Sequence, residues 1–288
     1  MTWGIKKIFP VEWLTLFYAL LTALYILVWP GATNGAEMLL LLAVRFLVAA
    51  AIVLISFIPL TKIMALIRQV FPLMLVVYWY PETYYINSCL FPNLDGFFMA
   101  IDGSWFGCQP SMEFIKAIPY TWFSELMNFA YLSFYFIIAG TVFHLYSKKA
   151  VMGAKAAFVL LFSFFCYYIF FILLPVVGPQ FYLPSPENSI PYSWPFRAML
   201  CFLQEMGEKA TGAFPSSHVG ITVICLLILF FHQQRKLCYY LLPLAILLIV
   251  STVYIKAHYL IDVLAGLLTA PLLYCLGTRV WRKIVISE

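Results

Sequence analysis

The chain has 288 residues, 64% of them hydrophobic and only 10% charged, with a formal charge of +5. Its mean hydropathy is +0.95. Too few polar side chains are present to cover a soluble domain of this size, which excludes a soluble globular protein and predicts an all-α, polytopic integral membrane bundle. The seven cysteines show no Cys-x-x-Cys and no zinc spacing, so neither a metal nor another cofactor is expected.

A spanning helix needs roughly 20 apolar residues, which leaves room for about eight of them with short connections. Lys6 and Lys7 precede a first apolar run, Val11 to Val28. Its length favours a spanning helix over a signal peptide, while the small residues Gly31, Ala32 and Thr33 leave cleavage open. A second span, Met38 to Ile58, contains Arg45, read as a structural cation that is paired or snorkels to the interface. The third, Ile63 to Tyr84, carries Pro72 and Pro81 and an aromatic belt of Trp79, Tyr80, Tyr84 and Tyr85.

The connection from Asn87 to Tyr120 holds Asp95, Asp102, Trp105 and Phe106 and is expected to lie along the interface. The fourth span, Trp122 to Tyr146, places Glu125 and Asn128 on one helical face, turned into the bundle. The fifth, Ala154 to Val177, breaks at Pro175 and Pro179 and is followed by a proline-rich loop to Phe214 with Glu187, Asn188, Arg197, Glu205, Glu208 and Lys209. Spans six to eight run from Ser217 to His232, Leu237 to Tyr254 and Leu260 to Gly277. The expected organisation is two added helices in residues 1–60 and a catalytic membrane unit in 61–288.

Alternating the connections across the membrane puts twelve lysines and arginines on one side and four, Lys116, Arg197, Lys209 and Lys256, on the other. The richer side reads as cytoplasmic and includes both termini, with a bacterial inner membrane as the expected location. Residues 180–218 and 256–262 then share the exterior or periplasmic face.

Those two stretches carry the chemistry. Pro215-Ser216-Ser217-His218 opens one apolar run, and His258-Tyr259-Leu260-Ile261-Asp262 opens another. Ionisable groups at the ends of membrane segments are costly and are read as functional by default. On a helix, residues four apart share a face, so Asp262 is expected to reach one nitrogen of His258, fix its tautomer and leave the other as a nucleophile. Ser216 or Ser217 is the expected cap of a helix whose first N–H groups form a phosphate site beside His218. His144 and His232 lie toward the opposite helix ends and are read as structural.

These motifs resemble the type 2 phosphatidic acid phosphatase (PAP2) superfamily over roughly Leu66 to Gly277. Pro215-Ser216-Ser217-His218 is similar to its second motif, Pro-Ser-Gly-His, and Ser251-Thr252-x5-His258-x3-Asp262 to its third, Ser-Arg-x5-His-x3-Asp. The resemblance implies a six-helix core, a lipid phosphate or phospholipid substrate, His258 as the nucleophile that forms a phosphohistidine, Asp262 as its partner and His218 as proton donor. The first motif, Lys-x6-Arg-Pro, is missing, and Thr252 replaces the third-motif arginine. Lys256, together with Arg197 and Lys209 on the preceding loop, is the candidate to supply the lost positive charge. Ser-Thr-x-Tyr before the third motif, with Leu-Pro-Val-Val-Gly-Pro at Leu174 to Pro179, looks like the inositol phosphorylceramide synthase branch, which transfers a headgroup to a lipid hydroxyl. Glu125, Asn128 and Tyr254 are candidates to position such an acceptor.

A transporter using His258 and Asp262 as a proton relay is the rival from another class, but it leaves the Pro-Ser-Ser-His turn unexplained. A serine hydrolase built on Ser216 or Ser217 lacks a Gly-x-Ser-x-Gly elbow. No nucleic-acid or protein partner is expected. Cys89 and Cys108, both placed outside, are expected to be able to close a disulfide.

Overall fold

The computed structural model describes residues 8–29, 34–183, 194–207 and 209–286. Lys6, Lys7, Gly31 to Thr33, Glu187, Asn188 and Glu208 lie outside the described residues. The rest is helical, with no strand among the described residues. In chain order the helices are α1 (Pro10–Val28), α2 (Gly35–Ile55), α3 (Lys62–Met74), α4 (Val76–Ile86), α5 (Asp95–Phe106), α6 (Pro110–Ala117), α7 (Thr121–Lys148), α8 (Ala150–Leu173), α9 (Pro179–Tyr182), α10 (Phe196–Gly207), α11 (Ser217–Phe231), α12 (Arg235–Tyr254) and α13 (Leu260–Ile286).

Helix starts follow local chemistry. Asn34 accepts from Glu37 N at 2.9 Å while the Glu37 carboxylate takes Asn34 N, a reciprocal cap for α2. Thr61 caps α3 through Met64 N, and Pro10 opens α1 where a missing N–H costs nothing. The expected third span is a single 25-residue stretch, Lys62–Ile86, divided into α3 and α4 at Leu75, three residues after Pro72.

Among the described residues seven stretches are long and apolar enough to cross a membrane, and α11, with 15 residues, is a shorter apolar helix. At 1.5 Å per residue it covers about 22 Å, less than the hydrocarbon core. It starts at Ser217, behind the cap Ser216, and both serines are buried. The protein is thus an integral membrane helical bundle. The connection expected along the interface folds as α5 and α6, of 12 and 8 residues, too short to span.

Helix α8 is the centre, enclosed by α3, α4, α7, α11 and α13 and by α1 on its outer side. Phe158, Leu160, Leu161, Phe164, Tyr167 and Phe171 along it are buried. Tyr18 of α1 stacks on Phe165 at 4.0 Å. Two close approaches set the geometry at the site end. A Cβ at Gly220 would overlap the Tyr167 ring, and one at Gly266 would lie 2.6 Å from the Ser216 carbonyl oxygen. Glycine at these positions lets α11 seat on α8 and α13 on the start of α11.

Charges inside the N-terminal helices are matched. Arg45 forms a two-pronged pair with Glu82 at 2.8 and 3.0 Å and donates to Thr22 Oγ1 and to the Leu41 carbonyl. This is the paired structural cation that its position predicts. Arg68 grips Glu12 with two bonds of 2.7 Å and ties α3 to α1. At the far end from the Pro-Ser-Ser-His turn, His144 Nε2 meets Gln234 Oε1 at 2.9 Å, and His232 Nδ1 meets the Ile228 carbonyl at 2.8 Å. Cys89 and Cys108, which could close a disulfide, are free thiols here, and Cys89 Sγ faces the Trp29 carbonyl oxygen at 3.7 Å.

Candidate active site

The two motifs meet at one end of the bundle. Ser216 is the N-cap of α11, its Oγ accepting from Val219 N, and its own N–H donates to the Asp262 carbonyl at 3.0 Å. Ser217 and His218 follow in the first turn, where N–H groups have no acceptor within the helix and the helix dipole favours an anion. His218 is half-buried, its ring stacked 4.6 Å from Tyr131 and tilted against Phe134 at 4.5 Å, both of α7. The His258 ring lies 5.8 Å from it, centroid to centroid.

His258 precedes α13 instead of lying in it, and that changes its partner. Its Nδ1 is 2.7 Å from the Ala213 carbonyl oxygen. An oxygen that only accepts puts the proton on Nδ1 and the lone pair on Nε2. The expected Asp262 contact is 3.7 Å from the same Nδ1, beyond hydrogen-bond length. Asp262 Oδ2 instead accepts from Tyr259 N at 2.8 Å, and Oδ1 is buried with no partner. The contact with the main-chain carbonyl favours the proton on Nδ1, with the Asp262 carboxyl group farther away at 3.7 Å. The four-residue spacing thus brings Asp262 to ion-pair range of Nδ1, while the shorter contact is to the Ala213 carbonyl.

Two carboxylates that the sequence places only in a connection hold this arrangement. Asp102 receives Leu260 N and Ile261 N, each at 2.9 Å, and so caps the first turn of α13. Burial raises its carboxyl above the ordinary range, and these two N–H bonds oppose the shift. Asp95 accepts from Val177 N, Gly178 N and the Tyr259 hydroxyl at 2.7 to 3.0 Å. Burial, reinforced by the Asp95 charge, raises the Tyr259 phenol. Both aspartates are 0% exposed. Their seven-residue spacing on α5, one face of a helix, is the signal that could have found them.

Lys256 sits two residues before His258 with φ of 63°, a left-handed backbone uncommon for a side chain of this kind. It is 6% exposed and has no ion-pair partner among the described residues. Burial lowers its ammonium group below the usual lysine range. Buried charge without a partner is expensive, which suits a site that receives an anion.

The remaining candidates are less close. Glu125 accepts Phe196 N and Arg197 N at 2.8 and 3.0 Å, so it caps the start of α10. Arg197 is held there by its backbone, and its described contacts do not reach the histidines. Asn128 donates to the Ser124 carbonyl at 2.6 Å, and its buried Oδ1 has no partner. Tyr254 donates to the Ile118 carbonyl at 3.0 Å, a tie from α12 to the end of α6. Among the described residues, no three His, Cys, Asp or Glu side chains are grouped to hold a metal ion.

The arrangement offers an imidazole lone pair, a second imidazole across a gap of a few ångströms, and the N–H groups at the start of α11, with the buried Lys256 two residues before His258 in the chain. Such a set suits nucleophilic attack on a phosphoryl group with proton transfer to the departing oxygen. No curated protein and no solved structure matches the chain. Residues 99–276 match the PAP2 superfamily. That segment covers more than half of the 288 residues and contains both histidine motifs, so the chain belongs to the PAP2 superfamily, a membership that points to phosphatase or phosphotransferase chemistry.

Proposed function

We propose that this protein cleaves a lipid-linked phosphoester through a phosphohistidine. In the first step His258 Nε2 attacks phosphorus, the bond from phosphorus to the leaving oxygen breaks, and His218 gives that oxygen its proton. In the second, His218 takes a proton from the acceptor, the acceptor oxygen bonds to phosphorus, and the phosphorus–nitrogen bond breaks. Ser216 and Ser217 at the start of α11, with Lys256, bind the phosphoryl oxygens. The observation that carries the reading is the pair of imidazoles 5.8 Å apart, one with Nδ1 held by the Ala213 carbonyl.

The cation asymmetry supports an exterior or periplasmic site. Lys148, Lys149, Arg235, Lys236, Arg279, Arg282 and Lys283 all lie at helix ends remote from the Pro-Ser-Ser-His turn. Transfer of a headgroup to a hydroxyl, as in the inositol phosphorylceramide synthase branch, is favoured over hydrolysis by one feature. The ring of His218 packs beside the Tyr131 and Phe134 rings of α7, an apolar lining that suits a lipid acceptor.

The test is turnover by the purified chain in lipid nanodiscs, supplied with a lipid phosphomonoester or a phospholipid, with and without hydroxyl acceptors. Free phosphate released at a rate indifferent to the acceptor establishes hydrolysis, and a new phosphodiester that forms only with an acceptor establishes transfer. Lipid movement across vesicles without cleavage of any phosphoester would replace both with transport.

A further inference from the structure

We propose that a polar face of α4, outside the segment that matches the family, is the positioning device for His258 and sets its tautomer through Thr211 and the Ala213 carbonyl. The proposal rests on His258 being the nucleophile.

The link begins at the imidazole. His258 Nδ1 meets the Ala213 carbonyl oxygen at 2.7 Å. The position of that carbonyl depends on residues 211–213, which are irregular backbone between α10 and α11 and have no helix of their own to hold them. Ala213 N donates to the Val176 carbonyl at 3.0 Å. On its other side Thr211 is gripped by two side chains of α4 and by Asn87 just past its end. Tyr80 donates its hydroxyl to the Thr211 carbonyl at 2.9 Å, Asn87 Nδ2 donates to Thr211 Oγ1 at 3.1 Å, and Thr83 Oγ1 lies 3.1 Å from the same oxygen.

Proton accounting fixes the direction. Thr83 Oγ1 already donates to the Tyr80 carbonyl at 2.8 Å, so toward Thr211 it accepts, and Thr211 donates. The Thr211 hydroxyl thus spends its proton on Thr83 and a lone pair on Asn87. Thr83, Asn87 and Thr211 are 1%, 6% and 2% exposed, so each bond forms in a low-dielectric interior where an unmade one is costly. Tyr80, Thr83 and Asn87 follow the spacing i, i+3 and i+7, one face of a helix.

Gly212 adds a steric half to the grip. Its φ is 77°, and a Cβ there would lie 2.8 Å from the Tyr80 ring and 2.9 Å from Phe171. Tyr80 therefore presses on the residue between the two that matter and bonds the carbonyl before it. Simple anchoring of a loop needs no polar network, since apolar packing serves it as well or better. Here the polar network fixes the Thr211 carbonyl and hydroxyl, two residues before the carbonyl that faces the imidazole. Residues 80, 83 and 87 precede the family-matched segment, which starts at residue 99, so the N-terminal helices supply a functional part of the site.

The experiment uses the full chain in nanodiscs with 15N-labelled histidine, whose nitrogen shifts separate protonated from unprotonated ring positions. The chain has four histidines, and His258→Ala assigns the signal. The expected wild-type pattern at neutral pH is a protonated Nδ1 and an unprotonated Nε2. Thr211→Val keeps the shape but removes both hydroxyl bonds. It should move His258 to a mixture of tautomers and lower kcat on a phosphatidic acid probe by roughly 10–100-fold with little change in KM. Thr211→Ser should restore both readouts. An unchanged His258 pattern in Thr211→Val, whatever its activity, overturns the proposal, as does wild-type kcat. If that variant fails to fold, Tyr80→Phe and Asn87→Leu are measured in the same way, and unchanged patterns in both overturn it. The tautomer is read without turnover, so a wrong nucleophile assignment would show as full activity in His258→Ala while leaving the tautomer result standing.

Discussion

Buried charge is handled in two different ways at the two parts of this bundle. In the N-terminal helices each buried cation is matched: Arg45 with Glu82, Thr22 and the Leu41 carbonyl, Arg68 with Glu12. At the site Lys256 is buried without an acid, and Asp262 Oδ1 has no donor. Both parts pay desolvation, but only the first recovers it within the protein. An account left open at the site end is what a protein needs if an anionic group completes it on binding, whereas the closed pairs fasten α1 to α3 and α2 to α4.

The largest effect should come from opening a closed pair. Arg45→Leu strands the Glu82 carboxylate and should cost about 3–5 kcal/mol of stability, visible in thermal or denaturant unfolding. Turnover per folded molecule should be unchanged, and adding Glu82→Leu should return most of the loss. If the single variant were as stable as wild type, Arg45 and Glu82 would not be the matched pair described.

Closing the open account should do the reverse. Lys256→Met should weaken kcat/KM by roughly 10²–10³-fold while leaving the protein as stable as before or more so. The sign of the pH dependence follows from burial, which lowers the Lys256 pKa. The charged form binds phosphate, so KM should rise as pH climbs through that lowered pKa, earlier than for an ordinary lysine, and the variant should lack this limb. Without ligand the folded state holds this proton less tightly than the unfolded chain, so Lys256 contributes stability that increases as pH rises across the same window. A KM profile identical in variant and wild type would remove Lys256 from the phosphate site.

The smallest of the three effects concerns Asp262. Were it the partner that orients His258, Asp262→Asn would cost several powers of ten. With the carboxylate 3.7 Å from Nδ1 and the Ala213 carbonyl already there, the expected loss is roughly 10–100-fold. A loss of 10⁴-fold would restore the orienting role.

Much of this was legible beforehand, for a physical reason. A spanning segment announces itself by apolar length, so every expected span has its helix, and α11 differs only in being short. The histidines were legible because charge at a segment end has few other uses. What escaped was long-range or carried by the main chain. Nothing in the side chains of residues 211–214 says that the Ala213 carbonyl will face an imidazole 45 residues on. Asp102 caps a helix 158 residues away, a pairing that no local pattern encodes. Glu125, a candidate for positioning an acceptor, is occupied by the start of α10 because two N–H groups from across the bundle claim both of its oxygens.

The central claim is that His258 attacks through Nε2 because Nδ1 is held by the Ala213 carbonyl. The direct measurement is to expose the purified chain briefly to a 32P-labelled lipid phosphate, quench in alkali to preserve phosphohistidine, and identify the labelled residue and ring nitrogen by digestion and mass spectrometry. The account predicts an acid-labile phosphoryl group on Nε2 of His258, absent from His258→Ala. Label on Nδ1, on Ser216 or Ser217, or on no residue during active turnover would contradict it.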